Sequence, residues 1–319
     1  MFVFPGQGSQ YVGMGSDLIR DFPTAQRLYQ QANDIVGYDL LKLCLEGPEE
    51  ELKLTRHTQP ALLAHSLACL QIFRELTDNR VQPVLTAGHS LGEYCALVAA
   101  GALDFETALR LVQKRGECMG TYGEGEMLAF PLHLDNVQHL AEKHFCAVAA
   151  CNLPDQTVVG GRGEDLDRLT EESHAHFPKK RPTRLKTEGA FHTFYMIAAA
   201  LPFRPVLDAA PMAAPAVRVL SNYSGTYHDP DPATIKTRLF FQLFHPVNWI
   251  GNLETAFHDE LTAIVEFGGG LGSGSAPEDK RPNLESMIKK AQRGSDYNIH
   301  YHAAINSQSL RETVEALRP

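Results

Sequence analysis

The apolar positions fall into short continuous runs separated by longer amphipathic stretches. Residues 2–5, Phe-Val-Phe-Pro, are apolar throughout and stop at Pro5-Gly6, which predicts a short buried strand ending in a turn. Residues 59–76 follow a helical period. Residues 84–88 form another short apolar run, 91–101 a helical pattern, and Asp104 is a suitable N-cap for a helix reaching about residue 119. Between 123 and 187 the order changes to strand 127–132, helix 135–143, strands 146–151 and 156–161, helix 164–174 and strand 183–187. That βαββαβ order predicts a ferredoxin-like unit. From 191 onward helices alternate with short strands, including 217–221 and 263–267, as in a mainly parallel sheet covered by helices. The fold expected is α/β, with a large domain made of residues 1–122 and 188–319 and a small domain, 123–187, inserted into it. Residues 268–282 are rich in Gly, Ser and Pro and read as a loop; they contain neither GxGxxG nor GK[ST], so no phosphate cradle is expected there.

One junction in this pattern carries chemistry. Gly88-His89-Ser90-Leu91-Gly92 lies between a predicted strand and a predicted helix and fits G-x-S-x-G. A turn this tight needs small neighbours, holds the serine hydroxyl at the end of the sheet, and puts the Leu91 amide at a helix N-terminus, where it can stabilise an oxyanion. The alternative is a plain Gly-Ser turn. A serine nucleophile needs a base. His89 is adjacent but points elsewhere on so tight a turn. His192, in Gly189-Ala190-Phe191-His192, follows a strand and opens a helix; its alternative is a capping or solvated histidine. On the helix after Asp104, the apolar stripe is Ala108, Leu111, Val112, Cys118 and Met119. Arg115 is i+4 from Leu111 and i+3 from Val112, so it lies on the same buried face. A buried guanidinium needs an anion, either a structural carboxylate or a ligand carboxylate held by its fork.

Composition narrows the class. Of 319 residues, 44% are hydrophobic and 21% charged, enough for a sizeable core, and the net charge of -9 argues against a nucleic-acid partner. No run of about 18 apolar residues predicts a membrane span. The N-terminus lacks the basic start of a signal peptide. The six cysteines are scattered inside apolar patterns, which predicts reduced, buried thiols in the cytoplasm. There is no CxxC or HExxH, and His174 and His176 are two apart on a predicted helix, so no metal is expected.

Taken with further blocks, these residues resemble a known family. The blocks are Phe4-Pro5-Gly6-Gln7-Gly8-Ser9-Gln10, Thr58-Gln59-Pro60-Ala61, Gly88 through Tyr94, Lys114-Arg115-Gly116, Asn152 through Gln156, Gly189 through His192 with Met196, and Gln242 through Trp249. In order and spacing they resemble the malonyl-CoA:acyl carrier protein transacylases, including the free-standing acyltransferases that serve polyketide synthases. The resemblance implies an α/β-hydrolase-like large domain with a ferredoxin-like small domain. It implies Ser90 as nucleophile, His192 as base oriented by the main-chain carbonyl of Gln242, and an oxyanion hole from the amides of Gln7 and Leu91. It further implies Arg115 as the site of a malonyl carboxylate, with Gln59, Phe191, His89, Met119 and Asn152 in the substrate-binding set. Phe191 before the histidine resembles malonyl-selective members.

The activity implied is transfer of malonyl from CoA to the phosphopantetheine thiol of an acyl carrier protein, with no bound cofactor, in a cytoplasmic monomer. Alternatives within the resemblance are transfer of a larger acyl group between carriers and hydrolytic editing of stalled carriers; outside it, a non-catalytic docking protein. The carrier is acidic in this family, so a basic patch is needed; 179–181, 280–281 and 289–293 are candidates. Three features depart from the pattern. Met127-Leu128-Ala129-Phe130-Pro131 is bulkier than the small residues that usually open the family's small domain after a Met. Thr193 stands where serine is common, and after Gly268-Gly269-Gly270 the chain enters an unfamiliar loop near the expected mouth of the site.

Overall fold

Ten strands make two five-stranded sheets among the described residues, 1–293 and 299–318 of a computed structural model. They are β1 (Phe2–Phe4), β2 (Leu85–Gly88), β3 (Glu126–Phe130), β4 (Ala147–Leu153), β5 (Gln156–Gly161), β6 (Thr183–Leu185), β7 (Arg218–Val219), β8 (Val247–Asn248), β9 (Ala263–Phe267) and β10 (His300–Ala304). The fold is α/β with one parallel and one mixed sheet.

The first sheet has the order β10-β9-β1-β2-β7 and every pairing in it is parallel. Parallel strands need helical crossovers, so both faces are covered and the central strands are largely apolar, with Thr86 and Glu266 as buried polar exceptions. All residues of β1 and β2 are buried. Phe2, Phe73 and Phe267 meet edge to face with ring centres 4.9–5.7 Å apart, and Phe4 stacks on Phe267. Such pairs contribute about 0.5–1.5 kcal/mol each beyond burial and tie β1 and β9 to the helix Thr55–Leu76. That helix packs against Phe105–Tyr122. At Gly116 a Cβ would lie 2.6 Å from Thr55 O, so only glycine permits the approach that sets Arg115 beside Gln59.

The second sheet has the order β6-β3-β5-β4-β8. Pairings among β3–β6 are antiparallel, and β8, from outside residues 123–187, adds parallel to β4. Its side chains sort by the strand period of two. Leu128, Phe130 and Val159 join Val137, Leu166 and Leu169 of the helices Leu134–Lys143 and Gly163–His176 in a second core. Met127, Ala150 and Val158 face the main core and the cleft between the sheets.

Most elements lie within a few residues of the sequence expectation; β5 and β9 coincide with it, and Asp104 caps its helix by accepting Thr107 N at 2.6 Å. The helix expected at 59–76 begins at Thr55. Pro60 reads as a first-turn proline, but the preceding turn forms because the Glu188 carboxylate accepts the Thr55 amide. The strand expected at 183–187 stops at Leu185, and Thr187 Oγ1 turns back to Gly189 O at 3.0 Å. The helices Ser16–Asp21, Pro23–Val36, Leu40–Glu46 and Glu49–Lys53, and the edge strand β10, have no counterpart in the sequence reading. All six cysteines are free and five are buried. Among the described residues no helix is long and apolar enough to cross a membrane.

Candidate active site

The Ser90 turn is dictated by its glycines. A Cβ on Gly88 would lie 1.9 Å from the Gly92 carbonyl carbon, and one on Gly92 would lie 2.2 Å from Phe4 O. Ser90 itself has φ 53°, a left-handed conformation costing about 1–2 kcal/mol for a non-glycine residue. Asn222, the residue after the strand predicted at 217–221, holds it there: its Oδ1 accepts Ser90 N at 2.5 Å and its Nδ2 donates to Gly88 O at 2.7 Å. Behind it, buried Glu93 accepts Asn222 N (2.9 Å), Gln242 Nε2 (2.8 Å) and His228 Nε2 (2.7 Å). The sequence reading assigned no role to Asn222, Glu93 or His228. The available signal was the position of Asn222 at the carboxyl end of a parallel strand, where sites in such sheets gather.

Ser90 Oγ lies 2.7 Å from His192 Nε2, and His192 Nδ1 donates to Gln242 O at 2.7 Å. Gln242 ends the helix Pro232–Gln242, and carbonyls of a last helical turn have no intrahelical partner, so this one is free to accept. The bond fixes the tautomer: with the proton on Nδ1, Nε2 presents its lone pair to the serine hydroxyl. His192 also has a left-handed φ, 62°, held by its amide on Leu243 O at 3.1 Å. Burial, helped by the Arg115 charge, lowers its pKa to about 3, so the ring is neutral at physiological pH.

Arg115 is 1% exposed. Its guanidinium donates to Gln59 Oε1 (2.8 Å), Gln242 Oε1 (3.0 Å) and Ser90 Oγ (3.1 Å), and its Nε has no partner. Among the described residues no carboxylate lies within ion-pair distance of it. Of the two readings of a buried arginine, a directly paired structural carboxylate is not found; the buried Glu93 carboxylate acts on Arg115 only at longer range, with Gln242 between them. Burial lowers its pKa from the usual guanidinium value, against the raising effect of Tyr94 and of the Glu93 charge, and a buried charge without a direct ion pair costs on the order of several kcal/mol.

Ser90, His192 and Arg115 meet in a cavity of about 230 Å³ between the two sheets. Gln7, Leu91, Gln59, Phe191, His89, Met119 and Asn152 also line it, and Gln242 lies directly behind. The amides of Gln7 and Leu91 donate to no protein acceptor among the described residues, whereas the Ser90 amide is taken by Asn222. His89 points away from Ser90: Nε2 donates to Asn152 Oδ1 at 2.8 Å and the ring meets Trp249 edge to face. Met127, Ala150, Val158 and Leu185 of the second sheet, Thr187 just after it, and Asn283, Leu284 and Met287 beyond the glycine-rich loop, complete the wall without having been anticipated. Of the basic candidates, Lys179, Lys180 and Arg181 are exposed, but Lys280 is not free: its ammonium lies 4.5 Å from the Tyr11 ring centre and donates to Gly272 O at 2.9 Å.

A hydroxyl aligned with an imidazole and a carbonyl, beside two amides with no acceptor, is the arrangement of a serine acyl-transfer site on an α/β scaffold. The chain belongs to the acyl transferase domain family, whose profile matches residues 1–238. It is 38% identical over 301 residues to the malonyl CoA-acyl carrier protein transacylase of Bacillus subtilis, covering 92% of this chain and 90% of that one. Its fold matches the malonyl CoA-acyl carrier protein transacylase of Coxiella burnetii with a TM-score of 0.88 at 30% identity, over 100% of this chain and 97% of the other. It also matches a malonyl-transacylase solved in complex with its type II polyketide synthase acyl-carrier protein, with a TM-score of 0.87 at 32% identity over 99% and 98% of the two chains.

Proposed function

We propose that this protein is a malonyl-CoA:acyl carrier protein transacylase working through an acyl-enzyme on Ser90. Ser90 Oγ attacks the thioester carbonyl while His192 Nε2 takes its proton. The tetrahedral oxyanion rests on the amides of Gln7 and Leu91; one such donor is worth about 10²–10³ in rate. The C–S bond breaks, CoA leaves with the proton returned by His192, and malonyl remains as an ester of Ser90. The phosphopantetheine thiol of the carrier protein then gives its proton to His192 and attacks the ester, and Ser90 recovers its hydrogen as it leaves. Gln242 holds the imidazole through its carbonyl, and Gln59, Phe191, His89, Met119 and Asn152 form the acyl pocket. No resident cofactor takes part in these steps.

The observation that carries this reading is Arg115: a buried cation, hydrogen-bonded to the nucleophile's oxygen and with no carboxylate within ion-pair distance among the described residues. A dicarboxylic acyl group supplies that carboxylate, and the fork geometry favours it over a neutral acyl chain. Arg115→Ala should lower malonyl loading by about a hundredfold while lowering acetyl loading far less. Initial rates with malonyl-CoA and acetyl-CoA check this; equal losses would make the arginine structural.

The same reading assigns residues 1–122 and 188–319 to an α/β-hydrolase-like domain and 123–187 to a ferredoxin-like one. The order β6-β3-β5-β4 supports the second assignment, with β8 as an added strand. Free, buried thiols suit the cytoplasm.

A further inference from the structure

Residues 268–282 fold back over the loop that carries Gln7. Gly270 N donates to Ser9 O at 2.8 Å, and Leu271 and Arg281 exchange hydrogen bonds of 2.9 and 3.0 Å across the base of this strap. Lys280 closes it, donating to Gly272 O and Gly274 O while covering the Tyr11 ring, and Asn306 Nδ2 donates to Pro277 O at 2.8 Å. The strap ends at Asn283, where a second fixing begins. Glu266, fully buried on β9, accepts Asn283 N at 2.8 Å on one oxygen; its other oxygen accepts Leu284 N at 2.9 Å and the Tyr301 hydroxyl. A buried carboxylate is costly unless its lone pairs are used. These are used to pin two successive amides of the cavity wall.

Among the described residues, one polar side chain of that wall has no protein partner. Elsewhere in the cavity Gln7 Nε2 donates to Thr55 Oγ1, Gln59 spans Arg115 and Met119, Asn152 accepts from His89, and Thr187 donates to Gly189 O. Asn283 lines the same cavity, and among the described residues nothing hydrogen-bonds its side-chain amide. It does not come from the helix pair that holds Arg115 and Gln59. The helix Glu285–Ala291 that follows it packs on β4, the strand of Ala150 and Asn152. A carboxylate wants donors only, whereas a free carboxamide offers donors and an acceptor together, the complement of a secondary amide. The phosphopantetheine arm common to CoA and a carrier has such an amide close to its thioester.

We propose that Asn283 is a substrate-binding residue for the first amide of the pantetheine arm and that Glu266 is its positioning residue; this rests on the transacylase reading above. The strap then links the oxyanion loop to the wall that aligns the thioester.

The test compares two small donors with the full-length protein: malonyl-N-acetylcysteamine, which keeps the thioester and the first amide, and a malonyl S-butyl thioester, which lacks the amide. Asn283→Ala should lower kcat/KM about five- to tenfold on the first, the worth of one hydrogen bond, mainly through KM, and less than about twofold on the second. Glu266→Gln sets an amide N–H₂ against a backbone N–H and should give the same split between donors, with a KM effect that a general loss of folding would not produce. If that variant does not fold, Asn283→Ala still decides. Equal losses on both donors, or a loss specific to malonyl over acetyl, would overturn the assignment. Wild-type protein that takes malonyl from neither donor nor from malonyl-CoA would overturn the transacylase reading as well.

Discussion

His192 joins three constraints that bear on its chemistry: a left-handed φ of 62°, a Gln242 carbonyl on Nδ1, and a burial that lowers its pKa to about 3. In the proposed mechanism the neutral form is the base, so lowering the pKa widens the pH range in which it is ready. An ordinary histidine, near 6.5, would lose half its active form at that pH. Acylation measured as kcat/KM should therefore stay flat from about pH 8 down to pH 5 and fall only below that. Arg115 is the second contributor to the lowering, after desolvation. In Arg115→Ala the acid limb should move up in pH while remaining below that of an ordinary histidine. A wild-type profile with a midpoint near 6.5 would contradict the burial argument. At this scale the sequence was informative where a residue type has few uses in its setting. Arg115 on an apolar stripe and Ser90 between glycines were legible. His192 was singled out by its place after a strand and by the family resemblance, whereas its left-handed φ depends on tertiary contacts no local pattern contains.

The Ser90 turn is an element held from outside itself. Its glycines make it possible, but Asn222 makes it persist, with one bond to the Ser90 amide and one to Gly88 O. Asn222→Ala leaves two buried backbone groups unpaired, each worth about 1–3 kcal/mol. Urea unfolding should show a loss of roughly 2–4 kcal/mol. The released Ser90 amide would then compete with Leu91 for the oxyanion, so acylation should fall further than stability explains. A variant as stable and active as wild type would mean the turn needs no such clamp. The strand and helix on either side were readable from hydrophobic period. The clamp was not, because Asn222 lies 132 residues away and asparagine after a strand is ordinary turn chemistry.

Across the molecule, the parallel sheet presents Ser90, and the second sheet closes the cavity over it. The second unit was legible as an order of elements because its strands alternate cleanly. The joining strand β8 was missed because two residues carry no periodic signal. The glycine-rich stretch 268–282 was legible as a loop, but its contacts with Ser9, Tyr11 and Asn306 could come only from the folded chain.

In the proposed mechanism malonyl travels on Ser90. Intact-mass measurement after mixing the protein with malonyl-CoA addresses it most directly. The expected result is one malonyl adduct, mapped to the peptide containing Ser90, stable in buffer, discharged by a holo acyl carrier protein and absent in Ser90→Ala. An adduct that survives Ser90→Ala, or one that decays in water as fast as with carrier present, would contradict it.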